Sequence, residues 1–312
     1  MKIAAFNVKN LGVRKLNKDI VRNNLIKIVS RYSVVVLLEV RDPNDRAMSK
    51  FLTELNRHRK IGAPVGRHSY REQFVFFYRQ DEMSVIDRYQ YEEENKDYTN
   101  KQVLLCMFTF VKKLVLIPVH TKPKDAEHEL RALHNVVQDA RRRWGTNSIM
   151  ILGDFNADGR YLSSTKRTNI RMSSRPYFWL IDEDADTTTS DLNDHTYDRI
   201  VVFGKRMNDA VVPGSAKPFD FKRAYRLNYD TTRSVSDHYP VEVDYLINVS
   251  TRGGSLAQLP QGKKQVTPWT GLDRVPDSGR ATNATINVIF EAVLADKSDT
   301  RQKFNAPVAS LT

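Results

Sequence analysis

A single cysteine, Cys106, stands among the 312 residues, so no disulfide can form within the chain. It lies inside the apolar run VLLCMFTF with no partner base nearby, which reads as a small buried core residue rather than a reactive thiol. No apolar run is long enough to span a bilayer, which excludes a transmembrane helix. The strand-like segment KIAAFNV begins at residue 2, so a signal peptide either is not made or has been removed. Acidic residues are in deficit: 49 Lys and Arg against 37 Asp and Glu leave a formal charge of +12. That balance favours a polyanionic partner such as nucleic acid or an anionic surface. A hydrophobic share of 40% excludes a disordered chain and suits one large domain or two modest ones.

What is present is a succession of short β-rich runs: KIAAFNV (2–8), VVVLLEV (34–40), FVFFYR (74–79), VLLCMFTF (103–110), LVLIPVH (114–120), SIMILGD (148–154), RIVVF (199–203) and PVEVDYL (240–246). Several are almost continuously apolar, as expected of strands covered on both faces. Between them, residues 17–32 and 125–144 carry apolar side chains at helical spacing, for example Leu130, Leu133, Val137 and Ala140. The pattern predicts an α/β fold with helices packed on the outer faces of sheets. After about residue 247 the chain turns rich in Gly, Ser, Gln and Lys, which reads as a linker and a mostly disordered tail. One apolar segment in that tail, INVIFEAVLA (286–295), is the candidate for a docked terminal element.

The stretch GDFNADGRYL (153–162) opens like a calcium EF-hand loop, but the twelfth residue counted from Asp154 is Thr165 and the preceding SIMILG reads as a strand. An EF-hand is therefore excluded, and a metal or a phosphate at a strand end remains open. Other strands also end in polar groups: Asn7 follows IAAF, Glu39 follows VVVLL, His120 follows LVLIPV, and Asp237-His238 precedes PVEVDYL. Each alone is most simply a turn residue or a satisfied core histidine. Together with Asp154 and Asn156 they form an inventory suited to a hard divalent ion flanked by two histidines. Phosphodiester hydrolysis needs such a set, because the cation neutralises the charge that builds on phosphorus and imidazoles move protons near neutral pH. Each histidine then needs an acidic partner, and Glu72 and Asp198 are the candidates.

The segments KIAAFNVKNLG (2–12), VVVLLEVRD (34–42), GRHSYREQFVFFYR (66–79), IPVHTKP (117–123), ILGDFNAD (151–158), DADTTT (184–189), TYDRIVVFG (196–204), VVPGSAKPFDF (211–221) and SDHYPVEV (236–243) occur in this order. In them the chain resembles the DNase I family of secreted endonucleases, within the endonuclease/exonuclease/phosphatase superfamily. The resemblance implies a four-layer αββα sandwich over residues 1–247, followed by a linker and tail of unknown role over 248–312. It implies an endonuclease that hydrolyses double-stranded DNA with little sequence preference, leaving 5′-phosphate and 3′-hydroxyl ends.

Carried over residue by residue, His120 with Glu72 and His238 with Asp198 would be the catalytic pairs, and Asp154 would join them. Glu39, Asn7, Asp154, Asn156 and Asp237 would hold Mg²⁺ (or Mn²⁺), and Asp186 with Thr188 a Ca²⁺ ion. Arg41 and Tyr70 would line the minor groove, while Lys9, Lys101, Tyr161 and Tyr197 would contact phosphates, giving affinity without base readout. The resemblance further implies a secreted monomer. It leaves actin binding unreadable; a phosphodiesterase or phosphatase acting on a lipid or small molecule, a silent DNA- or protein-binding module, and an intracellular location stand as alternatives.

The chain also departs from the family. Gly159 and the Asp194–His195 region stand where the family bonds two cysteines, and YEEENKDYTNKQ (91–102) lacks its small cysteine ring. The segment before GRHSYRE is short, Lys9 replaces an Arg and His68 an Asn.

Overall fold

The computed structural model describes residues 1–58, 73–91, 103–109, 113–159, 161–246 and 286–291. The chain begins with β1 (Lys2–Leu11), α1 (Val13–Leu16), α2 (Asp19–Val29), β2 (Val34–Val40) and α3 (Arg46–His58). There follow β3 (Gln73–Arg79), β4 (Ser84–Tyr91), β5 (Val103–Thr109), β6 (Lys113–His120), α4 (Ala126–Trp144) and β7 (Ile149–Asp154). Then come α5 (Ser164–Thr168), β8 (Tyr177–Trp179), β9 (Asp198–Phe203), α6 (Lys205–Asp209), β10 (Lys217–Pro218), α7 (Phe221–Ala224), α8 (Tyr229–Val235), β11 (Val241–Asp244) and β12 (Ile286–Glu291).

The strands make two six-stranded sheets, ordered β10-β11-β1-β2-β3-β12 and β4-β5-β6-β7-β9-β8. Three apolar layers follow from the period-2 alternation of each strand. Along β1, Ala4, Phe6 and Val8 face the helical layer that includes Leu25, Ile28, Phe51 and Leu55. Ile3 and Ala5 face the opposite way, into a seam shared with Phe76, Phe108, Met150, Leu152 and Val202 of both sheets. On the far side, Ile117, Ile151 and Val201 pack against α4 through Leu130, Leu133, Val137 and Ala140. The expected αββα sandwich is therefore the observed one. Each large aliphatic side chain removed from water in these layers contributes about 1.5–3 kcal/mol. Cys106 sits fully buried in the central seam, as expected of an inert thiol.

The strand directions gather the polar ends of the two sheets at one rim. β1 and β2 run parallel, with Asn7 opposite Leu38, and β6 and β7 run parallel, with His120 opposite Asp154. The antiparallel β9 and β11 start at that same rim, so Asp198 faces Asp154 across the β7–β9 pair and His238 lies just before β11. No helix among the described residues is long and apolar enough to cross a membrane.

One departure from the family is resolved by packing. Where the family bonds two cysteines, Gly159 takes a left-handed φ of +56° and lies so close to His195 that an added Cβ would be 3.0 Å from the ring. Beside it, the Asp158 carboxylate accepts hydrogen bonds from the Thr196 amide at 2.9 Å and pairs with His195 Nδ1 at 3.2 Å. A polar clasp thus joins the two loops that a covalent bridge would have joined.

The tail, read from the sequence as mostly disordered with one candidate docked segment, contributes a strand. Its apolar segment is not left unpaired: Ile286–Glu291 forms β12, antiparallel to β3 from Ile286↔Arg79 to Glu291↔Phe74. It occupies the outer edge of the first sheet, beyond the boundary expected near residue 247. Sheet edges with free N–H and C=O groups recruit other strands. A chain truncated after Leu246 is therefore expected to lose a few degrees of melting temperature and to self-associate with rising concentration, as read by light scattering against the full-length protein.

Candidate active site

At the rim, Asn7 bridges the sheets. Its side-chain amide donates to Glu39 Oε1 at 3.0 Å and to Asp154 Oδ2 at 3.1 Å, while its oxygen accepts the Lys9 amide at 3.0 Å. The second Glu39 oxygen accepts the Asn10 amide at 3.1 Å. The backbone here is strained, because Lys9, Asn10, Glu39 and Asn156 all have left-handed φ values, of 43°, 52°, 58° and 45°. Among the described residues only Asp45 and Arg226 share that feature without being glycine, so the strain is concentrated at the rim.

The two histidines converge on one carboxylate. His120 Nε2 lies 3.8 Å from Asp154 Oδ2 and 3.8 Å from Glu39 Oε1, and His238 Nε2 lies 3.8 Å from the same Asp154 oxygen. His238 is oriented by a 2.6 Å hydrogen bond between its Nδ1 and Asp198 Oδ2. Asp198 is fully buried, and its other oxygen has no hydrogen-bond partner among the described residues. Burial opposes the charge on His238, but the carboxylates of Asp198, Asp154 and Asp237 outweigh it and raise the imidazole to about 10. Burial lifts the Asp198 carboxyl to about 6, against the pull of His238. At neutral pH the pair is therefore an imidazolium facing a carboxylate.

Sequence reasoning missed the braces behind these groups. Ser236 donates to the Asn7 carbonyl at 2.6 Å and accepts the His238 amide at 3.2 Å, tying the two halves of the rim together. Thr187 Oγ1 accepts the amides of Tyr197 and Asp198 at 3.0 and 3.2 Å. Both lie inside quoted motifs, SDHYPVEV and DADTTT, so their positions were in view and only their roles were not. Arg199, 1% exposed, donates to the carbonyls of Asp182 and Ala157 at 3.2 and 3.4 Å and fixes the loop after β7.

The remaining expected residues fall as follows. Asn156 donates its amide to the Thr121 carbonyl at 3.0 Å, linking the loops after β6 and β7. Asp237 forms an ion pair with Lys9 at 2.7 Å. Asp186 accepts from the amide and the hydroxyl of Thr188, both at 2.8 Å, and Thr188 bridges to His238. Tyr161 and Tyr197 pack in a tilted arrangement with ring centroids 5.6 Å apart, and Tyr197 lies 6.4 Å from the His238 ring. Arg41 is held by its backbone amide, which donates to Leu11 at 2.8 Å. Glu72, Tyr70 and Lys101 lie outside the described residues.

A hard divalent cation fits this donor set. Asp154, Asp198 and His238 have ligand atoms within 4.8 Å of one another, but Asp198 and His238 already pair with each other. Glu39 and Asp154, bridged by the Asn7 amide, face the histidines at 3.8 Å, and their oxygens suit a hard cation better than the directly hydrogen-bonded Asp198–His238 pair. Asn7 bridges them through its NH2 group, and its Oδ1, which accepts the Lys9 amide, retains a second lone pair.

Two outcomes test this geometry. Gly153 has a φ of +141°, and a Cβ there would meet the Val119 carbonyl at 2.0 Å. Gly153→Ala is expected to cost about 1–3 kcal/mol or more in urea unfolding, because it forces β6 from β7. Asp198→Asn is expected to move the His238 titration, followed by NMR, down by roughly two pH units or more. The wild-type value of about 10 lies above the unfolded one. The stability gained from charged His238 is thus complete below about pH 6.5 and fades as pH rises through the folded value.

Comparison with known proteins follows the same outline. The model of the Endonuclease/Exonuclease/phosphatase family matches residues 4–239. Deoxyribonuclease-1 of Equus caballus is 39% identical over 258 residues, covering 78% of this chain and 91% of that protein. Deoxyribonuclease-1 of Rattus norvegicus is 40% identical over 258 residues, covering 78% and 90%. Among solved structures, D. rerio TDP2 complexed with single strand DNA product superposes with a TM-score of 0.54 at 15% identity, covering 78% of this chain and 97% of that one. That structural likeness concerns the fold alone, while the sequence identity, sustained across most of both chains, goes further. The chain belongs to the endonuclease/exonuclease/phosphatase family and, within it, to the deoxyribonuclease-1 branch.

Proposed function

We propose that this protein is a divalent-metal-dependent endonuclease that hydrolyses phosphodiester bonds of double-stranded DNA with little sequence preference. The observation that carries the reading is the convergence of two histidine Nε2 atoms on Asp154 Oδ2, each at 3.8 Å, beside the Glu39 carboxylate. Relatives about 40% identical that bear the name Deoxyribonuclease-1 support DNA as the substrate, as does the formal charge of +12.

Mg²⁺ or Mn²⁺, held by Glu39 and Asp154 with Asp237 and Asn156 nearby, would supply Lewis-acid neutralisation of the phosphate's extra charge. The protein's own groups divide the proton work. His238, charged and locked by Asp198, donates a proton to the departing 3′ oxygen. His120, on the other side of Asp154, accepts the proton of the attacking water, with Glu72 as its partner. The bond to O3′ breaks, so the products carry 5′-phosphate and 3′-hydroxyl ends.

Lys9, at the rim edge, and the tilted pair Tyr161 and Tyr197 are contacts for the sugar–phosphate backbone. Arg41 and Tyr70 line the minor groove, and Lys101 adds a phosphate contact. Ca²⁺ at Asp186 and Thr188 would stiffen the loop that bridges to His238. Secretion and action as a monomer complete the proposal.

Plasmid nicking tests it. With Mg²⁺ plus Ca²⁺ the wild type is expected to relax supercoiled DNA, and EDTA to abolish this. His120→Ala is expected to lower the rate by about 10²–10⁴-fold. Intact plasmid in every wild-type reaction would remove DNA as the substrate and bring phospholipid hydrolysis forward.

A further inference from the structure

The bend that follows Asn7 is held from beneath by a lysine to which neither the motifs nor the mechanism assigns a role. Lys15, on α1, sends its side chain back under the end of β1, where its ammonium donates to the carbonyls of Val8 at 2.7 Å and Lys9 at 3.0 Å. Those carbonyls belong to the stretch in which Lys9 and Asn10 adopt left-handed φ values of 43° and 52°. Asn tolerates this region, but Lys9 is held there only if its surroundings fix it.

The bend is confined on its other side as well. The Arg41 amide donates to Leu11 at 2.8 Å. The Arg41 carbonyl lies where a Cβ on Gly12 would be, at 2.6 Å. The turn is thus pressed between the backbone after β2 and the Lys15 ammonium.

Three contacts depend on that turn. The Lys9 amide meets Asn7 Oδ1 at 3.0 Å, the Asn10 amide meets Glu39 Oε2 at 3.1 Å, and Lys9 Nζ meets Asp237 at 2.7 Å. They orient the bridging amide of Asn7, the Glu39 carboxylate and the acidic residue beside His238. The ammonium also lies within Coulombic reach of Asp237 and Glu39, so it offsets part of their mutual repulsion.

We propose that Lys15 is a positioning residue of the nuclease: by fixing the left-handed bend at Lys9–Asn10, it sets the geometry in which Asn7, Glu39 and Asp237 receive the cation and the phosphate. It touches neither substrate nor cation. The inference rests on the function proposed above.

The test compares Lys15→Met, which keeps the stem but removes charge and donors, with Lys15→Arg, which keeps both. Plasmid nicking is measured together with the rise in melting temperature on adding Mg²⁺, a readout independent of turnover. Lys15→Met is expected to melt within a few degrees of wild type, to lose roughly 10–100-fold in kcat with KM for DNA within about twofold, and to show a smaller Mg²⁺-induced rise. Lys15→Arg is expected to recover kcat to within about threefold.

Wild-type kcat together with a wild-type Mg²⁺ response in Lys15→Met would overturn the proposal. So would a loss of rate no larger than the loss of folded protein. Should Lys15→Met fail to fold, Lys15→Gln, which keeps one neutral donor, is expected to lose about 3–10-fold in kcat, and full activity in it would overturn the proposal. If the wild type itself does not nick DNA, the substrate reading fails, and Lys15 is judged by the Mg²⁺-induced rise alone.

Discussion

The hydrogen bond from the Asn7 amide to Asp154, 3.1 Å long, joins β1 of one sheet to β7 of the other at the rim where the chemistry would occur, alongside the 2.6 Å bond of His238 with Asp198. Its existence demands that two independent parallel pairs, β1 with β2 and β6 with β7, end at the same height above the shared apolar seam. The seam does that work. Ile3 and Ala5 of one sheet lock against Met150 and Leu152 of the other, and close packing leaves little freedom for the sheets to slide. Core packing and site geometry are therefore one problem: the groups at the rim are as well placed as the hydrophobic residues beneath them are well packed.

Much of this was legible in the residues, for identifiable reasons. The almost continuously apolar runs ending in Asn7, Glu39, His120 and Asp154 are strands buried on both faces, and in parallel pairs such ends gather. The segments 17–32 and 125–144 contain α2 and α4 almost unchanged. Other elements were harder to see. β4 is half-exposed along most of its length, and β8 has only three residues, so neither presents a continuous apolar run. Helix α3 did carry a signal, with Met48, Phe51, Leu52 and Leu55 at helical spacing, but charged and polar neighbours thinned it. Ser236 and Lys15 act through backbone carbonyls distant in sequence or on a neighbouring turn, and a one-dimensional pattern carries no such information.

The clasp of Asp158 with His195 and Thr196 shows how a fold tolerates the loss of a covalent staple. A disulfide acts largely by restricting the unfolded chain, by about 2–4 kcal/mol. The clasp acts only in the folded state, so it must be supported by its surroundings. Here Arg199 holds the Ala157 carbonyl directly before Asp158, and Thr187 accepts the amide of Tyr197 just after Thr196. The bridge's function has been spread over a small polar network whose parts are individually weak.

The placement of β12 has a different kind of consequence. The chain leaves β11 near Leu246, beside Met1, and enters β12 at Ile286, opposite Arg79. Both points lie at the end of the sheet away from Asn7 and His238. Four inter-strand steps separate them, a gap of about 19 Å at the usual strand spacing, far less than the intervening stretch from 247 to 285 could span. The fold therefore sets only a minimum for the length of this connection, about six fully extended residues.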